Sequence, residues 1–178
     1  ISACLVGSEM CIRDRGNSVI YHCNADYETT MASTVTVAFL HKRQLYVVSV
    51  GDSRAYSYSA NKGLQCITKD HTLAANLVDA QLLKPEEVYK SEKRKQLYRY
   101  LGQSSTIQID FFSRPIEIND LILLCTNGLW HMVRDERLAE LLKQDQGGDT
   151  QKLARSLVDE ANLCGGEGNV SAIVVRVM

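Results

Sequence analysis

Leu45-Tyr-Val-Val-Ser-Val-Gly-Asp-Ser-Arg-Ala-Tyr56 reads as two strand pieces joined by a bend: a β-branched run, the break Gly51-Asp52-Ser53, then a resumption from Arg54 to Ser59. Turn-forming residues between apolar runs redirect the chain without ending the sheet. Upstream, Ser33-Thr-Val-Thr-Val-Ala-Phe-Leu40 alternates Val35, Val37 and Phe39 with Thr34, Thr36 and Ala38, the period of two that a strand shows. The polar His41-Lys-Arg-Gln44 between these runs predicts an antiparallel hairpin.

Outward from the hairpin, Asn61-Lys-Gly63 is a turn and Leu64-Gln-Cys-Ile67 a short strand. Thr72 is placed to cap a helix carrying Leu73, Leu77 and Val78, and Pro85-Glu-Glu-Val88 fits a second helix start with proline in its first turn. Ile107–Phe111 returns to alternation, and Leu121-Ile-Leu-Leu-Cys125 is the continuous apolar run of a strand buried on both faces. Asp135–Lys143 gathers Leu138, Leu141 and Leu142 on one helix face, and Thr150–Leu163 gathers Leu153, Leu157, Val158 and Ala161. Val170–Val177 reads as a last strand, and Asn17–Tyr27 as the end of a helix. Hairpins with helices set between them predict α+β layers rather than a repeating βαβ sheet.

The 178 residues carry a formal net charge of −1, with 45% hydrophobic and 23% charged residues. That balance belongs to a globular domain and excludes the basic surface that nucleic acid or an acidic membrane would require. No apolar run reaches the roughly 18 residues of a spanning helix, so the expectation is a cytoplasmic protein. The six cysteines are scattered without C-x-x-C spacing and read as reduced thiols. The chain opens on Ile1, and Leu5–Arg15 resembles translated adapter sequence. Residues 1–16 are therefore expected to be a non-native addition that packs against nothing, and 17–178 the domain proper.

Several stretches, in this order, resemble the bacterial PPM family of metal-dependent serine/threonine phosphatases. They are Met31–Leu40, Leu45–Tyr56, Ile67-Thr-Lys-Asp-His-Thr-Leu73, Leu97–Gly102, Asp120–Trp130 and Gly165–Val175. The resemblance implies an α/β/β/α sandwich of two mainly antiparallel sheets flanked by helices, here incomplete at the N-terminus. It also implies a centre of two Mn²⁺ or Mg²⁺ ions held by carboxylates, acting on phosphoserine or phosphothreonine. Paired cations about 3.5–4 Å apart acidify a bridging water and neutralise phosphoryl oxygens.

The same resemblance marks where this chain departs from the family. The R-x-x-N-E-D and D-G-x-G-G motifs have no counterpart in it. Asn127, in Thr126-Asn-Gly-Leu-Trp130, stands at a ligand aspartate. Gly168, in Gly168-Asn-Val170, stands at another. An amide oxygen removes one negative charge from a site whose affinity follows its charge count, and glycine offers no side chain at all. Asp52 matches the aspartate of a weaker third metal. Two readings of it stay open: a turn residue bonding its own backbone on the surface, or a residual metal contact.

His71 is expected to be structural, Trp130 to be core and His131 to be exposed. Lys93-Arg-Lys95 reads as a solvated flap surface or as a contact for a phosphopeptide. Two functions follow. One is a silent PPM domain that serves as a regulatory or phosphoprotein-binding module in a serine/threonine kinase pathway and holds Mn²⁺ or Mg²⁺ poorly. The other is an active phosphatase whose N-terminal catalytic segment lies outside this chain.

Overall fold

The computed structural model describes residues 2–145 and 148–178, with side chains from residue 15 onward. Its order is α1 (Ser2–Tyr27), β1 (Val35–His41), β2 (Gln44–Val50), β3 (Arg54–Ser59), β4 (Gly63–Cys66), α2 (Leu73–Asp79) and two 3₁₀ turns, Pro85–Lys90 and Glu92–Lys95. There follow β5 (Asp110–Pro115), β6 (Leu121–Cys125), α3 (Asn127–Trp130), α4 (Asp135–Gln144), α5 (Thr150–Leu163) and β7 (Ala172–Arg176). Two sheets form, β1-β2-β5 and β4-β3-β6-β7. Every pairing in them is antiparallel. The fold is thus the α+β sandwich of two antiparallel sheets flanked by helices that the resemblance implied.

The predicted hairpin is β1–β2, with Val37 opposite Val48 and Leu40 opposite Leu45. Leu45 and Val47 point inward and meet Ala55, Ile67, Ile116 and Ile122 of the other layer. On the outer face of the four-stranded sheet, Tyr56, Leu121 and Leu123 pack under Leu138 and Leu142 of α4 and Leu153 and Leu157 of α5. Consecutive residues of β6 therefore fill two cores, which is why its sequence does not alternate. Each fully buried leucine of this kind contributes about 1.5–3 kcal/mol. The outer face of the three-stranded sheet has less cover, and Val37 and Phe111 remain exposed there.

Thr72 caps α2 by accepting the Ala75 N–H at 3.2 Å. The Pro85 segment takes a 3₁₀ rather than an α conformation, as short pieces commonly do. Helix α1 docks through Asn17, which is 1% exposed. Its Oδ1 accepts the Gly102 N–H at 2.9 Å and its Nδ2 donates to the Ser104 carbonyl at 2.9 Å. The α1 backbone is continuous from Ser2. The expectation that residues 1–16 pack against nothing falls, for residues 1–14, on side chains outside those described.

Candidate functional site

The turn between β2 and β3 carries Asp52 into the end of the sandwich. Gly51 makes this possible: its φ is +105°, and an added Cβ would lie 2.3 Å from Thr34 Cγ2. Asp52 is 2% exposed, so the expectation of a surface turn is corrected: Asn127 and Trp130, more than seventy residues further along the chain, both bond to it. Its backbone carbonyl accepts the Trp130 indole N–H at 2.8 Å. Its Oδ2 accepts the Asn127 side-chain amide at 3.0 Å. Burial pushes the Asp52 carboxyl above its ordinary pKa, and the Asn127 amide pulls in the other direction.

Asn127 opens α3, a helix of four residues too short to leave a periodic signal in sequence. The loop before β7 closes over it. Gly128 permits that approach, since a Cβ there would lie 2.4 Å from the Asn169 carbonyl oxygen. Thr126 Oγ1 fastens the same loop, accepting the Ser171 N–H at 3.0 Å and donating to the Asn169 carbonyl at 3.3 Å. Asp52, Asn127 and Asn169 consequently line one cleft of about 340 Å³ with Ser33, Thr34 and Ser53. Gly168 is the residue next to its rim, with φ +80° and nothing within 4 Å of the space a Cβ would fill. The structure thus gathers all three singled-out positions at one end of the sandwich, and only one of them bears a carboxylate.

Behind the cleft a polar network fixes the turn. Arg54 forms a two-pronged pair with Asp70, at 2.9 and 2.7 Å, and lies 3.6 Å over the Trp130 ring. Trp130 is fully buried, in line with its reading as core. His71, also fully buried, accepts the Gly51 N–H on Nδ1 at 3.0 Å. That bond calls for the ring proton on Nε2, which lies 3.2 Å from Asp110 Oδ2 and 3.1 Å from Arg99 Nη1. A backbone N–H on one nitrogen and the Asp110–Arg99 pair at the other make His71 a hydrogen-bonded part of the framework. Burial, aided by the neighbouring Arg99 charge, holds the His71 pKa below its ordinary value.

Two expectations from the sequence change. His131 is half-buried rather than exposed, against Trp130 with ring centroids 4.2 Å apart. Burial and the Arg94 charge push its pKa down to about 4. Within Lys93-Arg-Lys95 the two lysines are exposed, but Arg94 is 8% exposed. Neither could be found by pattern, because the burial is tertiary: the second 3₁₀ turn lies against α2 and the first 3₁₀ turn, and His131 lies against Trp130. Cys23, Cys66, Cys125 and Cys164 are free thiols.

Known proteins bear out the fold and the family. The protein phosphatase 2C family profile matches residues 10–77. The serine/threonine phosphatase stp of Listeria welshimeri is 27% identical over 166 residues, covering 93% of this chain and 65% of that protein. The crystal structure of the Mycobacterium tuberculosis serine/threonine phosphatase PstP/Ppp superposes with a TM-score of 0.81 at 30% identity, covering 90% of this chain and 67% of that one. The catalytic domain of PstP in complex with two manganese ions superposes with a TM-score of 0.78 at 28% identity, covering 93% and 68%. The chain belongs to the protein phosphatase 2C family, whose members are the PPM-type serine/threonine phosphatases. It spans about 65% of the length of the Listeria phosphatases that it matches.

The family implies a pair of metal ions, and the residues described do not fit one. Among them no group of three or more His, Cys, Asp or Glu is placed to hold a metal ion. The one carboxylate in the cleft already takes a hydrogen bond from Asn127. Mg²⁺ surrenders its water only to several ligands or to a phosphate, and Asp52 alone supplies neither.

Proposed function

We propose that this chain is a PPM-type domain that binds phosphoproteins without hydrolysing them, acting as a regulatory module of a serine/threonine kinase pathway in the cytoplasm. The observation that carries this reading is the Asn127–Asp52 hydrogen bond. Two aspartates at that spacing need a cation or a shared proton between them. An amide facing a carboxylate needs neither, so the cleft is complete without metal. Gly168 removes a further ligand position, and its left-handed backbone favours glycine over aspartate by the usual steric cost of that conformation.

The cleft otherwise keeps hydroxyls and amides able to bond a phosphorylated side chain, from Ser33, Thr34, Ser53, Thr126, Asn127 and Asn169. In this reading Asp52 positions Asn127 and Trp130 and holds metal weakly or not at all. Fluorescence anisotropy with a phosphothreonine peptide and its unphosphorylated twin tests the proposal. Selective, metal-independent binding of the phosphopeptide, recovered intact, is the expected result. Equal binding of both peptides contradicts it. Hydrolysis of the bound phosphopeptide in Mn²⁺ returns the chain to the active phosphatases.

A further inference from the structure

A second cavity, of about 460 Å³, opens between α2, the first 3₁₀ turn and the start of α4. It shares no lining residue with the Asp52 cleft. Its floor is the Arg54–Asp70 pair, which is tied to α4: Arg54 Nη1 donates to Tyr56 Oη at 2.9 Å, and Tyr56 Oη donates to Asp135 Oδ1 at 3.0 Å. Ala75 and Val78 of α2, with Pro85 and Val88 of the 3₁₀ turn, supply an apolar wall. A cavity of this size, with an apolar wall and a few placed polar groups, suits a small molecule.

The charges around it do not balance. Asp70, Asp79, Glu86, Asp135 and Glu136 face Arg54, Lys69 and Arg134, five carboxylates against three cations, which leaves −2. Arg54 pairs with Asp70 and Lys69 with Asp79, and Arg134 lies 5.6 Å from the centre of the Tyr89 ring. Neither Glu86 nor Glu136 has an ion-pair partner among the described residues. Acids at a helix start are ordinary, since they offset about half a positive charge of the helix dipole. Here the acids of two separate starts converge on one cavity, Glu86 from the 3₁₀ turn and Asp135 and Glu136 from α4. They are spread about its volume, and no group of three among the described residues is placed to hold a metal ion. What complements such a cavity is a cation carried on an apolar body.

We propose that this cavity binds a small organic cation, an alkylammonium or guanidinium whose head meets Glu86 and Glu136 while its body lies along Val78 and Val88. Lysine and arginine side chains divide themselves in the same way, stem on apolar surface and charge at the polar rim. The site does not rest on the phosphoprotein reading, because none of its residues lines the Asp52 cleft. It meets the support of that cleft from behind: Arg54 lies 3.6 Å over the Trp130 ring, whose N–H holds the Asp52 carbonyl. Trp130 is the chain's one tryptophan, so its fluorescence reports on the cavity floor.

The test titrates phenethylamine into the full chain at constant ionic strength, with phenethyl alcohol and hydrocinnamate as neutral and anionic counterparts. Calorimetry measures binding, and Trp130 fluorescence locates it beside Arg54. The amine should bind saturably and shift the fluorescence. Replacing both exposed acids, Glu86→Gln with Glu136→Gln, should weaken the amine at least about fivefold, the modest effect of ion pairs at a rim, and leave the alcohol unchanged. Ala75→Leu, which fills space at the wall, should weaken amine and alcohol alike. No saturable binding of the amine, equal binding of all three compounds, or an affinity that the double variant leaves unchanged overturns the proposal. Amine binding that ignores Ala75→Leu lies elsewhere on the molecule and overturns it too.

Discussion

Asn127 Nδ2 donates to Asp52 Oδ2 at 3.0 Å, joining residues 75 positions apart across the end of the sandwich. Asp52 is almost wholly enclosed, and burial disfavours its charge. The amide is what makes a lone carboxylate tolerable there, since a charged acceptor without a donor loses its solvation and gains nothing.

Asn127→Asp should therefore lower stability by about 1–3 kcal/mol at neutral pH, the cost of an unsatisfied buried polar group, with like-charge repulsion added. The loss should shrink as pH falls, because one proton shared between the carboxylates relieves both. Urea midpoints of the two proteins at neutral and acidic pH provide the measurement. An unchanged midpoint at neutral pH would mean that the two side chains do not interact.

Asn17 offers a second separation of parts. Removing residues 1–16 should change stability by no more than about 0.5 kcal/mol, the usual range for sites without specific contacts. Asn17→Ala should cost about 1–3 kcal/mol, because it strands the buried Gly102 N–H. Urea denaturation compares them. A larger loss on truncation than on Asn17→Ala would make the first 16 residues part of the domain.

Stability should fall as pH drops from about 6.5 towards 4. His71 and His131 both have folded pKa values below the ordinary 6.5, His131 at about 4. Below 6.5 the unfolded chain takes up protons that the folded chain refuses, so both contributions are whole above that pH and are lost beneath it. Asp52 opposes this, since a raised carboxyl pKa makes folding take up a proton as pH falls towards 3.8. In a urea series across this range, His131→Gln should flatten the profile in part and leave the His71 share. A profile that His131→Gln leaves unaltered would show that the ring titrates normally.

The fold was legible because its signals are local. Alternation at Val35, Val37 and Phe39 marks β1, the unbroken Leu121–Cys125 marks a strand between two cores, and Thr72 caps α2 as its position implies. The site was legible in its positions only. Asp52 lies at a turn, which in sequence reads as surface, yet neighbours from distant segments enclose it. Arg94 sits between two lysines and reads as solvated, while its burial depends on its 3₁₀ turn packing against α2 and the first 3₁₀ turn. Helix α3 spans four residues, about one turn, so no periodicity can announce it.

The central claim is that this cleft is complete without metal and silent in catalysis. Its most direct test is turnover of a phosphothreonine peptide by the unmodified chain, with Mn²⁺ in excess and with Mn²⁺ removed by chelation. The account predicts no phosphate release above the metal-free control. Mn²⁺-dependent release that disappears in Asp52→Ala would contradict it, and would require a working metal centre built around the carboxylate that Asn127 now occupies.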